Sequence, residues 1–267
     1  MTQTKSDVLQ VRKDGFICTL TLNRPEKRNS LSPELLINLK ETLDEFAKDD
    51  SVRAVVIRGA GDKSFCAGYD LNLLPTSDNK EGNTPGNINP FEEAMETIVN
   101  FPYPVIALMN GYAFGGGCDL AISCDIRIGV DNLRIGMVPA KLGVVYSASG
   151  LKRFINAVGI ARTKELFFTG RHYQAPFLKE IGFLNYMLPQ DEIESFTYAM
   201  AQEISENSPL SLKGTKKVLR LINDSNVISE NDLKEAEAIS LRSFLSEDLK
   251  EGQLAFFEKR KAEFKGK

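Results

Sequence analysis

Hydrophobic and polar positions divide this chain into an alternating front half and a helical back. Val8 to Val11 and Phe16 to Leu22 form two strand-like runs around the turn Lys13-Asp14-Gly15, which predicts a hairpin. Ser32-Pro33-Glu34 then supplies an N-cap, a first-turn proline and an acid suited to a helix start. Leu35, Leu36, Leu39, Leu43 and Phe46 follow at helical spacing. Val52 to Arg58, Val105 to Met109 and Cys124 to Val130 are short apolar runs, the first closed by Gly59 and Gly61 and the second entered through Pro102 and Pro104. Each reads as a buried strand, and strands separated by helices predict an α/β sheet with crossovers rather than a sandwich.

From Leu151 onward the pattern is helical. Leu151 to Val158 and Ile160 to Phe168 read as a pair, followed by 190–207, 209–222 and 230–244. Ser246 caps a last amphipathic helix that carries Leu249, Leu254 and Phe257. A composition shift near residue 190 divides a core over 1–190 from a helical region over 191–267. Residues 75–90, PTSDNKEGNTPGNINP, have no apolar period and read as a long loop, a candidate lid between two glycine motifs.

Composition narrows the function classes. The formal net charge of −3 offers no basic excess for nucleic-acid phosphates. No apolar run reaches the ~18–20 residues that span a bilayer. The start MTQTKSDVLQVRKDG lacks a signal-peptide pattern, so a cytoplasmic setting is expected, with no membrane or nucleic-acid partner. Cys18, Cys66, Cys118 and Cys124 form no CxxC pair, and His172 is the single histidine. A metal site is therefore not expected, and the thiols read as small buried groups in a reducing compartment. His172 reads as a surface or structural residue.

Two segments carry candidate chemistry. Ser64-Phe65-Cys66-Ala67-Gly68-Tyr69-Asp70 follows the strand over 52–58, and its small residues allow backbone to approach a ligand. Asn110-Gly111-Tyr112-Ala113-Phe114-Gly115-Gly116-Gly117-Cys118-Asp119-Leu120 follows the strand over 105–109 and opens a helix. Glycines at a helix start expose unpaired N–H groups at the positive end of the helix dipole, a place for a developing oxyanion. Nucleotide-binding fingerprints fail: Asp62 interrupts the phosphate-loop-like Gly59 to Ser64, and no G-x-G-x-x-G lies between a strand and a helix.

In this order the motifs resemble the crotonase (enoyl-CoA hydratase/isomerase) superfamily. Asn23-Arg24-Pro25-Glu26-Lys27-Arg28-Asn29-Ser30-Leu31, SFCAGYDL, NGYAFGGGCDLAISCDIRI, LGVVYSASGLKRF, TGRHYQA and FFEKRKAEF all match, from about residue 8 to the end. The resemblance implies a spiral of ββα turns with a C-terminal helical trimerisation region, assembled as a homotrimer or a hexamer of paired trimers. It implies an acyl-CoA substrate, with CoA arriving as part of that substrate and no separate cofactor. By motif position the backbone N–H groups of Tyr69 and Gly116 would hold the thioester oxygen. Arg24, Lys27 and Ala67 would lie near the adenine, and Lys259 near the CoA phosphates. Gly68, Asp70, Leu71, Gly115, Pro139 and Gly143 complete the implied substrate and CoA contacts.

The acid/base positions depart from the pattern. The first glutamate of the hydratases falls at Asp119, and the second at Pro139, which can exchange no side-chain proton. Tyr146 stands close by, and LGVVY and KELFFT resemble the family's methylmalonyl-CoA decarboxylases, though those carry histidine where this chain has Tyr69. Three readings are therefore carried forward: a hydratase-like lyase using Asp119, an acyl-CoA decarboxylase using Tyr146, and a non-catalytic acyl-CoA-binding protein.

Overall fold

The computed structural model describes residues 2–73, 89–224 and 230–264. The lid expected over 75–90 lies outside these residues except for Asn89 and Pro90. Strands β1 (Thr2–Ser6), β2 (Leu9–Asp14) and β3 (Ile17–Leu22) form an antiparallel meander at one edge of the main sheet. Helix α1 (Pro33–Phe46) follows, with Ser32 accepting a hydrogen bond from the Leu35 N–H at 3.3 Å. Its buried stripe of Leu35, Leu36, Leu39 and Leu43 is the one the spacing predicts.

The chain then winds in repeating turns. Each turn lays a strand in the main sheet, a short strand in a second sheet, and then helix. The first holds β4 (Ala54–Gly59), β5 (Ser64–Cys66) and α2 (Pro90–Asn100). The second holds β6 (Val105–Met109), β7 (Tyr112–Phe114) and α3 (Gly116–Ser123). The third holds β8 (Ile126–Val130), β9 (Arg134–Gly136), α4 (Pro139–Leu142) and α5 (Ala148–Thr169). Next come β10 (His172–Gln174), α6 (Ala175–Glu180), β11 (Tyr186–Leu188) and α7 (Ile193–Glu206). The main sheet runs β1-β2-β3-β4-β6-β8-β11, parallel from β3 onward, and the second runs β10-β9-β7-β5. This is the ββα spiral that the resemblance implied. Val55, Val56 and Ile57 of β4 and all of β6 are fully buried, as strands covered on both faces must be.

The helical pair expected around residue 159 is present, as two helical stretches of α5 that meet at a kink. Gly159 sits at φ +78 inside α5, a left-handed conformation that interrupts the helical backbone. The division expected at residue 190 shifts. Helix α7 packs on the main sheet with Thr197 and Ala201 fully buried, and Tyr198 exchanges a 3.0 Å hydrogen bond with Thr19 of β3. The helical extension therefore begins with α8 (Pro209–Asp224) and continues through α9 (Glu230–Phe244) and α10 (Glu247–Phe257). Ser246 caps α10 by accepting from the Leu249 N–H at 3.0 Å.

Helix α10 returns to the spiral through paired glycines. A Cβ on Gly252 would lie 2.7 Å from the Leu142 backbone, and one on Gly143 would lie 2.8 Å from that of Asp248. Gly252→Ala is expected to loosen α10 from α4 and lower stability by about 1–3 kcal/mol, the usual cost of overpacking. Chemical denaturation checks this, and a loss within error of zero would show that the contact yields freely.

Candidate active site

The two glycine motifs meet through backbone geometry. Leu31 donates its N–H to the Gly68 carbonyl at 2.8 Å, and Asp70 donates to the Leu31 carbonyl at 2.9 Å. This alternation turns the Tyr69 N–H to the opposite side, where it has no hydrogen-bond partner among the described residues. Gly68 makes the turn possible: its φ is +94, and a Cβ there would lie 2.7 Å from the Phe114 carbonyl.

Helix α3 supplies the facing donor. The Gly115 carbonyl accepts from the N–H groups of Cys118 at 3.0 Å and Asp119 at 3.2 Å, and the first-turn N–H of Gly116 has no hydrogen-bond partner among the described residues. A Cβ on Gly116 would stand 3.4 Å from the Tyr69 nitrogen, so the two free N–H groups are close neighbours. They face one cavity of about 2980 Å³. Fixed donors of this kind stabilise negative charge on an oxygen without reorganising.

The expected site residues separate into two sets. Lys27, Ala67, Gly68, Tyr69, Asp70 and Leu71 line the cavity, as do Gly115, Gly116, Pro139 and Tyr146. Arg24, Asp119, Gly143 and Lys259 are not among its lining residues. Arg24 instead braces the first motif, pairing with Asp70 at 3.0 Å and donating to the Ser30 carbonyl at 2.7 Å. Burial pushes the Asp70 carboxyl up, but hydrogen bonds from Arg24 and Asn72 outweigh it and hold it below the usual range. Gly143 serves the α4–α10 contact. Lys259 is exposed at the left-handed end of α10, while Arg260 and Lys261 reach the cavity.

Asp119 is the largest departure from expectation. Its side chain is 0% exposed and receives two parallel bonds from Arg153, at 2.8 Å and 3.0 Å. Burial raises its pKa, and the guanidinium opposes that rise. The bidentate geometry is that of an ionised pair. Arg153, from α5, also reaches Glu92 of α2 at 3.2 Å. Glu92 in turn accepts from Ser147 at 2.5 Å and Ser149 at 2.7 Å, and it lines the cavity. Sequence reasoning missed Glu92 and Arg153. Glu92 reads as an ordinary first-turn acid after the cap Asn89, and Arg153 as one helical position among many.

Tyr146 contributes its ring to the cavity wall, but its hydroxyl is buried and makes no hydrogen bond of normal geometry among the described residues. Burial and the nearby Asp119 carboxylate push its pKa well up. The four cysteines are buried and unbridged, and burial pushes Cys18, Cys66 and Cys124 up to about 12. Burial and the facing Lys141 and Arg134 charges lower His172. Among the described residues no helix is long and apolar enough to cross a membrane, and no His, Cys, Asp or Glu cluster fits a metal ion.

The sequence profile described as enoyl-CoA hydratase/isomerase matches residues 12–267. The chain belongs to the enoyl-CoA hydratase/isomerase family, within the crotonase superfamily. It is 33% identical to the short-chain-enoyl-CoA hydratase of Clostridium acetobutylicum, an alignment that covers 95% of each chain. It is 30% identical to the methylmalonyl-CoA decarboxylase of Escherichia coli, over 94% of this chain and 95% of that one. A solved methylmalonyl-CoA decarboxylase in complex with 2-nitronate-propionyl-CoA superposes with a TM-score of 0.89 at 29% identity, covering 97% of this chain and 99% of that chain. The family thus includes both chemistries that the departures at Asp119 and Pro139 raise.

Proposed function

We propose that this family member removes carbon dioxide from a 2-carboxyacyl-CoA thioester of the methylmalonyl type. The position of its carboxylates carries this reading. Asp119 is sealed from the cavity and committed to Arg153, and Pro139 stands where the second acid would be. Two-carboxylate activation of a water therefore has neither partner in place, whereas decarboxylation requires no strong base.

In this reading the Tyr69 and Gly116 N–H groups hold the thioester oxygen. The C2–carboxyl bond breaks, carbon dioxide leaves, and the electron pair becomes an enolate whose charge falls on that oxygen. Val138, Pro139, Leu142, Val144 and Val145 give the cavity apolar surface suited to release a neutral gas, with Lys141 as the one cation among them. A proton then adds to C2. We assign its delivery to Tyr146, whose ring lines the cavity and whose phenol, kept protonated by burial and the Asp119 charge, turns toward C2 to give its proton. Tyr146→Phe removes a buried hydroxyl that makes no hydrogen bond of normal geometry among the described residues, so it should leave folding stability unchanged or raise it by up to about 1 kcal/mol. Turnover should fall at the same time. Full activity in this variant would remove Tyr146 from the mechanism.

The CoA portion lies along Lys27, Ala67 and Gly68, with Lys261 replacing Lys259 as the C-terminal lysine at the cavity. CoA enters as part of the substrate, and no further cofactor is required. Assembly as a homotrimer or hexamer accounts for Leu210, Val218, Leu219 and Leu221, which stand exposed on α8. The free buried thiols suit a cytoplasmic setting.

Hydration is the second reading, favoured by Glu92 as a carboxylate on the cavity and by the hydratases among the relatives. Incubation with methylmalonyl-CoA, crotonyl-CoA and longer enoyl esters, read by product mass, separates the two. Loss of carbon dioxide is expected. Gain of water on an enoyl ester, with methylmalonyl-CoA intact, would overturn the decarboxylase reading. Binding without any product would favour an acyl-CoA-binding protein.

A further inference from the structure

Glu92 lies one residue from Phe91, whose ring edge would be 3.0 Å from a Cβ on Gly116. Its carboxylate lines the same cavity as the free N–H pair. It cannot swing away, because Ser147 and Ser149 each donate to one of its oxygens and Arg153 holds the second of these. The side chain is still 23% exposed, so its charge faces the cavity. Arg153 does not cancel that charge. Its guanidinium gives two bonds to Asp119 and one longer contact to Glu92, so two carboxylates share one cation. The set keeps a net negative charge on the α2 side of the pocket. Val138, Pro139, Leu142, Val144 and Val145 line the same cavity, with Lys141 among them.

We propose that Glu92 is a specificity-determining residue that acts by fixed repulsion on acyl groups bearing a carboxylate at C2. With the thioester oxygen held, the C2 carboxylate has two faces to occupy. The Glu92 charge drives it away from α2, toward the part of the cavity lined by Pro139, Lys141 and Leu142 of α4. The repulsion is present while the substrate carries its carboxylate and vanishes when carbon dioxide leaves. Glu92 thus weakens binding of the charged ester and speeds its loss of carbon dioxide. The two serines and Arg153 are positioning residues for it. The rate effect rests on the decarboxylase reading; the binding effect does not.

The test uses the full chain and two inert thioethers, 2-carboxypropyl-CoA and propyl-CoA, measured by calorimetry. Glu92→Gln should tighten the carboxylated thioether about tenfold, the scale of one charge pair at an intermediate effective dielectric. It should leave propyl-CoA unchanged. Glu92→Asp, which keeps the charge, should retain the wild-type ratio and guards against a general disturbance of α2. With methylmalonyl-CoA, Glu92→Gln should lower KM and kcat together. Equal shifts for both thioethers, or none for either, would overturn the proposal. Absence of carbon dioxide release by the wild type, with the binding contrast intact, would overturn the decarboxylase reading while sustaining the role of Glu92 in selectivity.

Discussion

Gly116→Ala yields a folded protein whose turnover falls by about 10²–10³. The expected loss corresponds to one oxyanion donor, ~2.7–4 kcal/mol of transition-state stabilisation. The variant folds because the new methyl meets yielding neighbours, the ring edge of Phe91 at 3.0 Å and the Leu31 side chain at 3.4 Å. It fails in catalysis because the same methyl stands 3.4 Å from the Tyr69 nitrogen, in the space a thioester oxygen must enter. Gly117 gives the contrast. A Cβ there would overlap the Cys66 carbonyl, so Gly117→Ala should fail as a folding variant before it fails as a catalyst. Thermal unfolding beside steady-state rates separates the two cases. A Gly116→Ala enzyme with near-normal kcat would mean that the paired N–H groups are not where charge develops.

Arg153→Met should cost about 3–5 kcal/mol of folding stability. Removing one partner of a buried ion pair strands the other, and Asp119 is fully buried with Arg153 as its bidentate partner. Glu92 would lose a donor in the same step, so the pocket wall on α2 should loosen as well. The double variant Asp119→Leu, Arg153→Met should regain most of the loss, because well-packed apolar groups replace buried charges with little penalty. Urea titrations of the three variants decide this. A single-variant loss below about 1 kcal/mol would show that Asp119 finds water or another donor.

Much of this architecture was legible because its local signals are strong and agree. Serine caps at Ser32 and Ser246 start the helices they mark, and the apolar runs over 52–58 and 105–109 are central strands. Strand β1 escaped notice because TQTKS has neither alternation nor an apolar residue; its pairing with β2 makes it a strand. The N–H pair at Tyr69 and Gly116 was readable because the family resemblance assigns both positions, and a triple glycine opening a helix suits that role. The charged side chains behind it were not. Whether Asp119 meets water, a ligand or Arg153 depends on the direction in which α5 crosses α3. A sequence pattern shows that Arg153 is on a helix but not what that helix passes. Similar reasoning applies to Lys259, where one residue at a left-handed helix end determines which lysine turns inward.

The cavity also bears on how the chain is made. Its walls include residues 25–30, 67–73, 114–116 and 144–149, but also Leu241, Phe256 and Phe264 near the C-terminus. The spiral can assemble turn by turn as it leaves the ribosome, since neighbouring turns pair with one another. The cavity cannot, because its last wall joins contacts separated by more than two hundred residues. During synthesis a nascent chain therefore has its central sheet long before it can retain a ligand, and substrate can stabilise only the finished polypeptide.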